Sequence, residues 1–214
     1  MTVSRREFSR GAAGVALVPS ALFAPMARAQ AAKPVAGRDY QVLSERVATE
    51  APTGSVEVVE FFSYMCHICN AFEPTFHAWT KTIPKGVVLR RVPAPFLQNA
   101  EILQRTYFAI EQMNLVDTLH GKVFDAIHEE RRNFNDVAVM ADWMASQGVD
   151  RAKFMNQYAS FTVATKTAQA TQLTNAYKIE GVPMLGVAGR YLTEGTAKGL
   201  RVVESLVADI RAGR

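Results

Sequence analysis

The chain has 214 residues, is 49% hydrophobic and 21% charged, and carries a formal charge of +4. That is ordinary globular composition for one domain or two small ones, and it excludes a disordered tail, a collagen-like repeat and a polytopic membrane protein. Its two cysteines are too few for a disulfide scaffold.

Residues 1–29 read as an export signal. Arg5, Arg6 and Arg10 open it, an apolar stretch of 13 residues runs from Gly11 to Phe23, and Ala27-Arg28-Ala29 offers a small-x-small cleavage site. The apolar stretch contains Pro19 and falls short of the roughly 20 residues a bilayer core requires. Ser4-Arg5-Arg6-Glu7-Phe8 resembles the twin-arginine export pattern, with Ser9 where that pattern usually has Leu. The segment holds four Arg and one Glu, so of the formal +4 it accounts for +3 and the rest of the chain for +1. A nearly neutral protein lacks the electrostatic footprint for nucleic acid, and none is expected as a partner.

The remaining chain reads as strands, then helices, then strands. A short strand is expected around Tyr40–Leu43. Val56–Phe62 is β-branched and aromatic, apolar apart from two Glu, and reads as a buried strand. Cys66–Lys81 reads as a helix kinked at Pro74, with Phe72, Phe76 and Trp79 on one side. Val87–Val92 is a second strand. Helical periods follow at Leu103, Tyr107 and Ile110, at Val116, Leu119, Val123 and Ile127, and at Val137, Met140, Ala141 and Met144. Asp150 is placed to cap a fourth helix up to Tyr158, and a longer one runs from Phe161 to Tyr177. Met184–Val187 is a strand, Gly189 turns the chain into an edge strand at Tyr191 and Leu192, and Leu200, Val203, Leu206 and Ile210 stripe a last helix. This order gives an α/β sheet, with residues 98–161 a helical insertion between its halves at 30–97 and 162–214.

The chemistry falls on Cys66-His67-Ile68-Cys69, where a strand gives way to a helix. The first N–H groups of a helix are unpaired and its dipole is positive there, so a thiolate is stabilised. Cysteines so placed have pKa values of about 3.5–7.5, against about 8.5 when free. Cys66 is therefore the nucleophile, or the sulfur that substrates attack, and Cys69 the less exposed resolving thiol. Stabilising the reduced thiolate makes the pair an oxidant. Two other readings compete. A structural metal needs about four ligands, which His77, His120 and His128 are badly spaced to supply. A structural disulfide across one helical turn closes almost no loop and stabilises little.

The segment Glu60-Phe61-Phe62-Ser63-Tyr64-Met65-Cys66-His67-Ile68-Cys69, continued by Asn70-Ala71-Phe72-Glu73-Pro74, resembles the active-site segment of DsbA-type thiol:disulfide oxidoreductases. Gly181-Val182-Pro183 is similar to the loop in which that family has a cis Val–Pro bond facing the cysteines. The resemblance implies a thioredoxin-like fold with an inserted helical domain. It implies a monomeric periplasmic enzyme that needs no cofactor or metal and hands its disulfide to unfolded or newly exported cysteine-containing proteins. Reoxidation would come from a DsbB-type membrane quinone reductase. A periplasmic reductase or isomerase on the same scaffold is the alternative.

The resemblance also implies residue roles. Cys66, Cys69, His67 and Glu60 are expected to be catalytic, Glu60 as a buried acid beneath Cys69 that moves its proton, with Arg91 as its neighbour. Val182 and Pro183 are expected to bind substrate backbone. Tyr64, Met65, Met184 and Leu185 are candidates for an apolar rim, with core packing an equal alternative for Met184 and Leu185. The family usually has Cys-Pro-His-Cys. Here His67 follows the first Cys and Ile68 stands where the family has His, so the oxidising strength is left open. An imidazolium at 67 favours the Cys66 thiolate from a different direction.

Overall fold

In sequence order the chain forms β1 (Gln41–Val42), β2 (Val56–Phe62), α1 (His67–Thr80), β3 (Val87–Pro93), α2 (Ala100–Gln112), α3 (Val116–His128), α4 (Val137–Ser146), α5 (Arg151–Tyr158), α6 (Phe161–Ala176), β4 (Met184–Val187), β5 (Tyr191–Glu194) and α7 (Ala197–Arg211). The computed structural model describes residues 32–214, so the expected export signal at 1–29 lies outside the described residues. The strands make one sheet in the order β1-β5-β4-β2-β3. β2 runs parallel to β3 and antiparallel to β4, with Val59 opposite both Arg90 and Gly186.

Every residue of β2 is buried, as its uninterrupted β-branched and aromatic run requires. Its two faces feed two apolar layers. Val56 and Val58 join Phe72 and Phe76 of α1, Leu185 and Val187 of β4, and Leu200, Val203 and Leu206 of α7. Val59 and Phe61 face the larger layer built from α2 to α6, which includes Tyr107, Ile110, Phe124, Met140, Phe154 and Tyr177. Period two puts Glu60 on the α1 face, with Val56 and Val58.

The expected edge strand is a correction. β5 is not an edge, because Gln41 and Val42 of β1 pair with its Leu192 and Tyr191. The short strand expected around Tyr40–Leu43 is present, but its pairing with a segment so far along the chain cannot be read from local pattern. The turn into β5 follows from Gly189, whose φ is +66 and where a Cβ would lie 2.0 Å from the Val47 carbonyl oxygen. In β4, a Cβ on Gly186 would meet the Tyr177 ring at 2.5 Å, so the missing side chain lets α6 approach the sheet.

The starts of α4, α5, α6 and α7 are capped by side chains, Asp136 to Ala138 N–H, Asp150 to Lys153, Ser160 to Val163 and Thr196 to Gly199. α1 uses Cys66 in the same way.

Candidate active site

β2 ends at Phe62, and the turn Ser63–Cys66 brings the chain into α1. Cys66 N–H donates to Ser63 O at 3.0 Å, and Met65 N–H donates to Ser63 Oγ at 3.3 Å. Cys66 is the N-cap of α1, with extended φ −88 and ψ 113, and its Sγ accepts from Cys69 N–H at 3.2 Å. The Cys69 thiol hydrogen bond, the N–H groups of Cys69 and Ile68 and the charge of His67 bring the Cys66 thiol down to about 6, while burial opposes them. Donating to Cys66, together with burial, drives the Cys69 thiol far above the usual range, and Glu60 adds to the rise. Both cysteines are free thiols. Cys66 is 8% exposed and Cys69 2%, so the outer sulfur is the one a partner can reach. His67 and Ile68 both point into solvent, Ile68 being 51% exposed.

The loop from the far end of the chain faces this sulfur. The Val182–Pro183 peptide bond is cis, and the Cys66 thiol donates to Val182 O at 3.4 Å. Gly195 N–H donates to Pro183 O at 2.9 Å, and a Cβ on Gly195 would lie 2.5 Å from Pro183 Cβ. Gly195 is thus the backing of the loop. Sequence reading passes over it, because its partner comes from twelve residues earlier through the β4–β5 hairpin.

Glu60 is buried, as expected of an acid beneath Cys69, and its charge is felt by Cys69. Burial raises its carboxyl to about 8; Arg91 opposes the rise and Glu73 adds to it. Arg91 Nη1 lies 3.5 Å from Glu60 Oε2 but only 2.8 Å from Glu73 Oε2. Glu73 therefore holds the guanidinium, and Glu60 Oε2 has no hydrogen-bond partner. Burial works against charge on Glu73, but His120 and Arg91 outweigh it and hold that carboxyl below its ordinary value. Burial keeps His120 neutral, lowering it to about 4, while Glu73 opposes that shift.

Tyr64 departs from its expected place in a substrate rim. It is 1% exposed, and its hydroxyl meets His120 Nδ1 at 2.7 Å. Its ring packs with Phe62, His120 and Phe124, and its carbonyl accepts from His128 Nε2 at 2.8 Å. The reason is the turn itself, which folds the Tyr64 ring beneath α3. Of the two readings open for Leu185 the core one holds, since it is fully buried between sheet and helices, whereas Met65 and Met184 are half-buried near the surface.

Glu73, His120 and His128 are the residues missed. Their signal is an ionisable group inside an apolar helical stripe. Glu73 sits between Phe72 and Phe76 and four residues after Cys69, and His120 shares a face with Val116, Val123 and Phe124.

Comparison with known proteins places the chain among thiol:disulfide proteins. The DSBA-like thioredoxin domain family model matches residues 84–210. The thiol:disulfide interchange protein DsbA of Bordetella parapertussis is 40% identical over 210 residues, covering 95% of this chain and 97% of that protein. The DsbA of Pseudomonas aeruginosa is 36% identical over 189 residues, covering 86% and 89%. The crystal structure of Pseudomonas aeruginosa DsbA superposes with a TM-score of 0.80 at 34% identity, covering 84% of this chain and 96% of that one.

Proposed function

The chain belongs to the DsbA-like thioredoxin-domain family and is a thiol:disulfide oxidoreductase, and we propose that its disulfide is carried by Cys66 and Cys69 and given to exported proteins in the periplasm. Kinship with DsbA proteins supports the oxidase over a reductase or isomerase.

The chemistry runs as two exchanges. A client thiolate attacks Cys66 Sγ, forming a client–Cys66 disulfide and breaking the Cys66–Cys69 bond. Cys69 leaves as a thiolate in a buried site and takes a proton from the Glu60 carboxyl, which becomes a carboxylate. A second client thiolate then attacks the client sulfur, forming the client disulfide and expelling Cys66 as a thiolate. Two electrons pass from client to enzyme. The final leaving group is favoured because the Cys69 thiol and the N–H groups of Cys69 and Ile68 already hold its anion. Val182 and Pro183 receive the client backbone, with Met65 at the margin, and His67 adds positive charge beside the anion.

Residues 30–97 and 162–214 form the thioredoxin-like part in this reading, and 98–161 the helical insertion. Residues 1–29 direct export, the protein acts as a monomer, and a DsbB-type membrane quinone reductase accepts its electrons. The observation that carries the proposal is the Cys66 sulfur at the start of α1, accepting from Cys69 N–H and facing the cis Val182–Pro183 loop.

The test is oxidation of a reduced, unfolded client by the Cys66→Ser variant and by wild type. Loss of client disulfide formation is expected in the variant. Retained oxidation would refute the assignment.

A further inference from the structure

Glu60 and Glu73 share one guanidinium between them and are unequal in their surroundings. Glu73 Oε2 lies between Arg91 Nη1 at 2.8 Å and His120 Nε2 at 3.5 Å. It also lines a cavity of about 210 Å³ with Asn70, His77, Arg91, His120 and Asp125, which gives it a path to water. Glu60 is not in the walls of that cavity, and its Oε2 reaches Arg91 only at 3.5 Å. Two buried carboxylates facing one cation hold one proton between them, as close carboxylate pairs do.

His120 decides which of them holds it. Glu73, held ionised on Arg91, is an acceptor only, so the neutral His120 ring places its proton on Nε2 toward it, and the Tyr64 hydroxyl 2.7 Å away donates to the bare Nδ1. That nitrogen has no other partner and faces the Glu73 carboxylate. The contact is long for a hydrogen bond, yet it presents an N–H dipole to the charged form of Glu73 alone. We propose that His120 is a positioning residue that keeps Glu73 ionised on Arg91 and so assigns the shared proton to Glu60, the carboxylate beneath Cys69.

This rests on the reading of Glu60 as the proton donor to Cys69. The groups facing His120 are Tyr64 from the reactive turn, Glu73 and His77 from α1, Arg91 from β3 and Tyr107 from α2. Those facing Glu60 include Arg91, Glu73 and Cys69. With His120 replaced, Glu73 competes less well for Arg91. The guanidinium turns to Glu60, and Glu60 ionises at lower pH. Cys69 then leaves toward a carboxylate instead of a carboxylic acid.

The experiment follows the carboxyl carbons of Glu60 and Glu73 and the ring nitrogens of His120 by NMR through a pH titration of the full reduced protein. Wild-type His120 is expected to be neutral with its proton on Nε2, and a proton on Nδ1 overturns the proposal. In His120→Phe, Glu60 is expected to titrate about one unit lower, a tenfold change in its ionisation constant, and Glu73 higher. An unchanged Glu60 overturns it. His120→Gln, which keeps an N–H donor, is expected to restore the wild-type order. Tyr64→Phe removes the Nδ1 bond but leaves Nε2 on Glu73, and should leave Glu60 unmoved. A shift there equal to that of His120→Phe would make the effect one of aromatic packing and sink the proposal; this arm and the tautomer stand even if His120→Phe does not fold. The pH profile of client attack on the oxidised pair in Glu60→Gln separates the two readings. If that profile matches wild type, the proton-donor role of Glu60 fails, while the placement of the proton by His120 is still judged by the titrations.

Discussion

At Cys66 a sulfur accepts where an oxygen accepts at the other capped helix starts. Ser160, Asp136, Asp150 and Thr196 each take one backbone N–H, and Cys66 takes that of Cys69. The thiolate is therefore held first by the Cys69 thiol and then by the N–H groups of Cys69 and Ile68 that the helix leaves unpaired, with His67 a lesser contributor. Titrating the ultraviolet thiolate absorbance of the reduced protein should give a midpoint near 6 that disappears in Cys66→Ser. Ile68→His, which adds a cation beside the same sulfur, should lower that midpoint and shift the equilibrium with glutathione further toward reduced enzyme. A higher midpoint in that variant would contradict the electrostatic account. The two cysteines and the helix start were legible in the sequence, because each is a short motif with local consequences, whereas the cis Val182–Pro183 bond was expected only through the resemblance of Gly181-Val182-Pro183 to a family loop. The ionic cluster was half legible. Arg91 could be set beside Glu60 from adjacent strands, but Glu73 and His120 reach it only through the docking of two helices.

At the scale of elements, the sequence patterns translated well wherever a long apolar period existed. β2 and β4 fall on the expected residues, and α5 starts at the expected Asp150 cap. β1 falls within the strand expected around Tyr40–Leu43, but the interior position of β5 was not legible, because the pairing of β1 with β5 is a long-range contact that neither segment's own composition announces. The fit of α6 against the sheet depends on Gly186. Gly186→Ala should cost about 1–3 kcal/mol, as overpacking a filled site typically does, because the new methyl meets the Tyr177 ring. Ser160→Ala should cost about 1 kcal/mol through loss of the α6 cap. Chemical denaturation of the two variants checks both values, and an unperturbed Gly186→Ala would mean that Tyr177 is free to move.

For the whole molecule, stability and redox state are joined through pH. Burial keeps His120 neutral down to about 4, so its contribution is present above its ordinary 6.5 and is lost as pH falls toward 4. Glu60 keeps its proton up to about 8, so its contribution is present below its ordinary 4.5 and is lost as pH rises toward 8. Both groups are present in reduced and oxidised protein. Cys66 titrates only when reduced, and its fall from 9.0 to about 6 makes the reduced fold gain stability as pH rises through that window. The difference in unfolding free energy between reduced and oxidised protein should therefore widen from pH 6 to 9, as measured by urea denaturation of each form. A flat difference would mean that the thiolate is no better held in the fold than in the open chain. None of this linkage was legible from composition, since it depends on which ionisable groups the fold seals off.

The grip of α3 on Tyr64 reaches further. His120 holds its hydroxyl and His128 its carbonyl, two residues before the reactive sulfur. The helical lobe and the cysteine turn are thereby riveted together, and a hinge between them would break both ties at once. In the proposed reading, clients of different shape are accommodated on the opposite bank, by the Val182–Pro183 loop and the half-buried Met184, while the sulfur itself stays put.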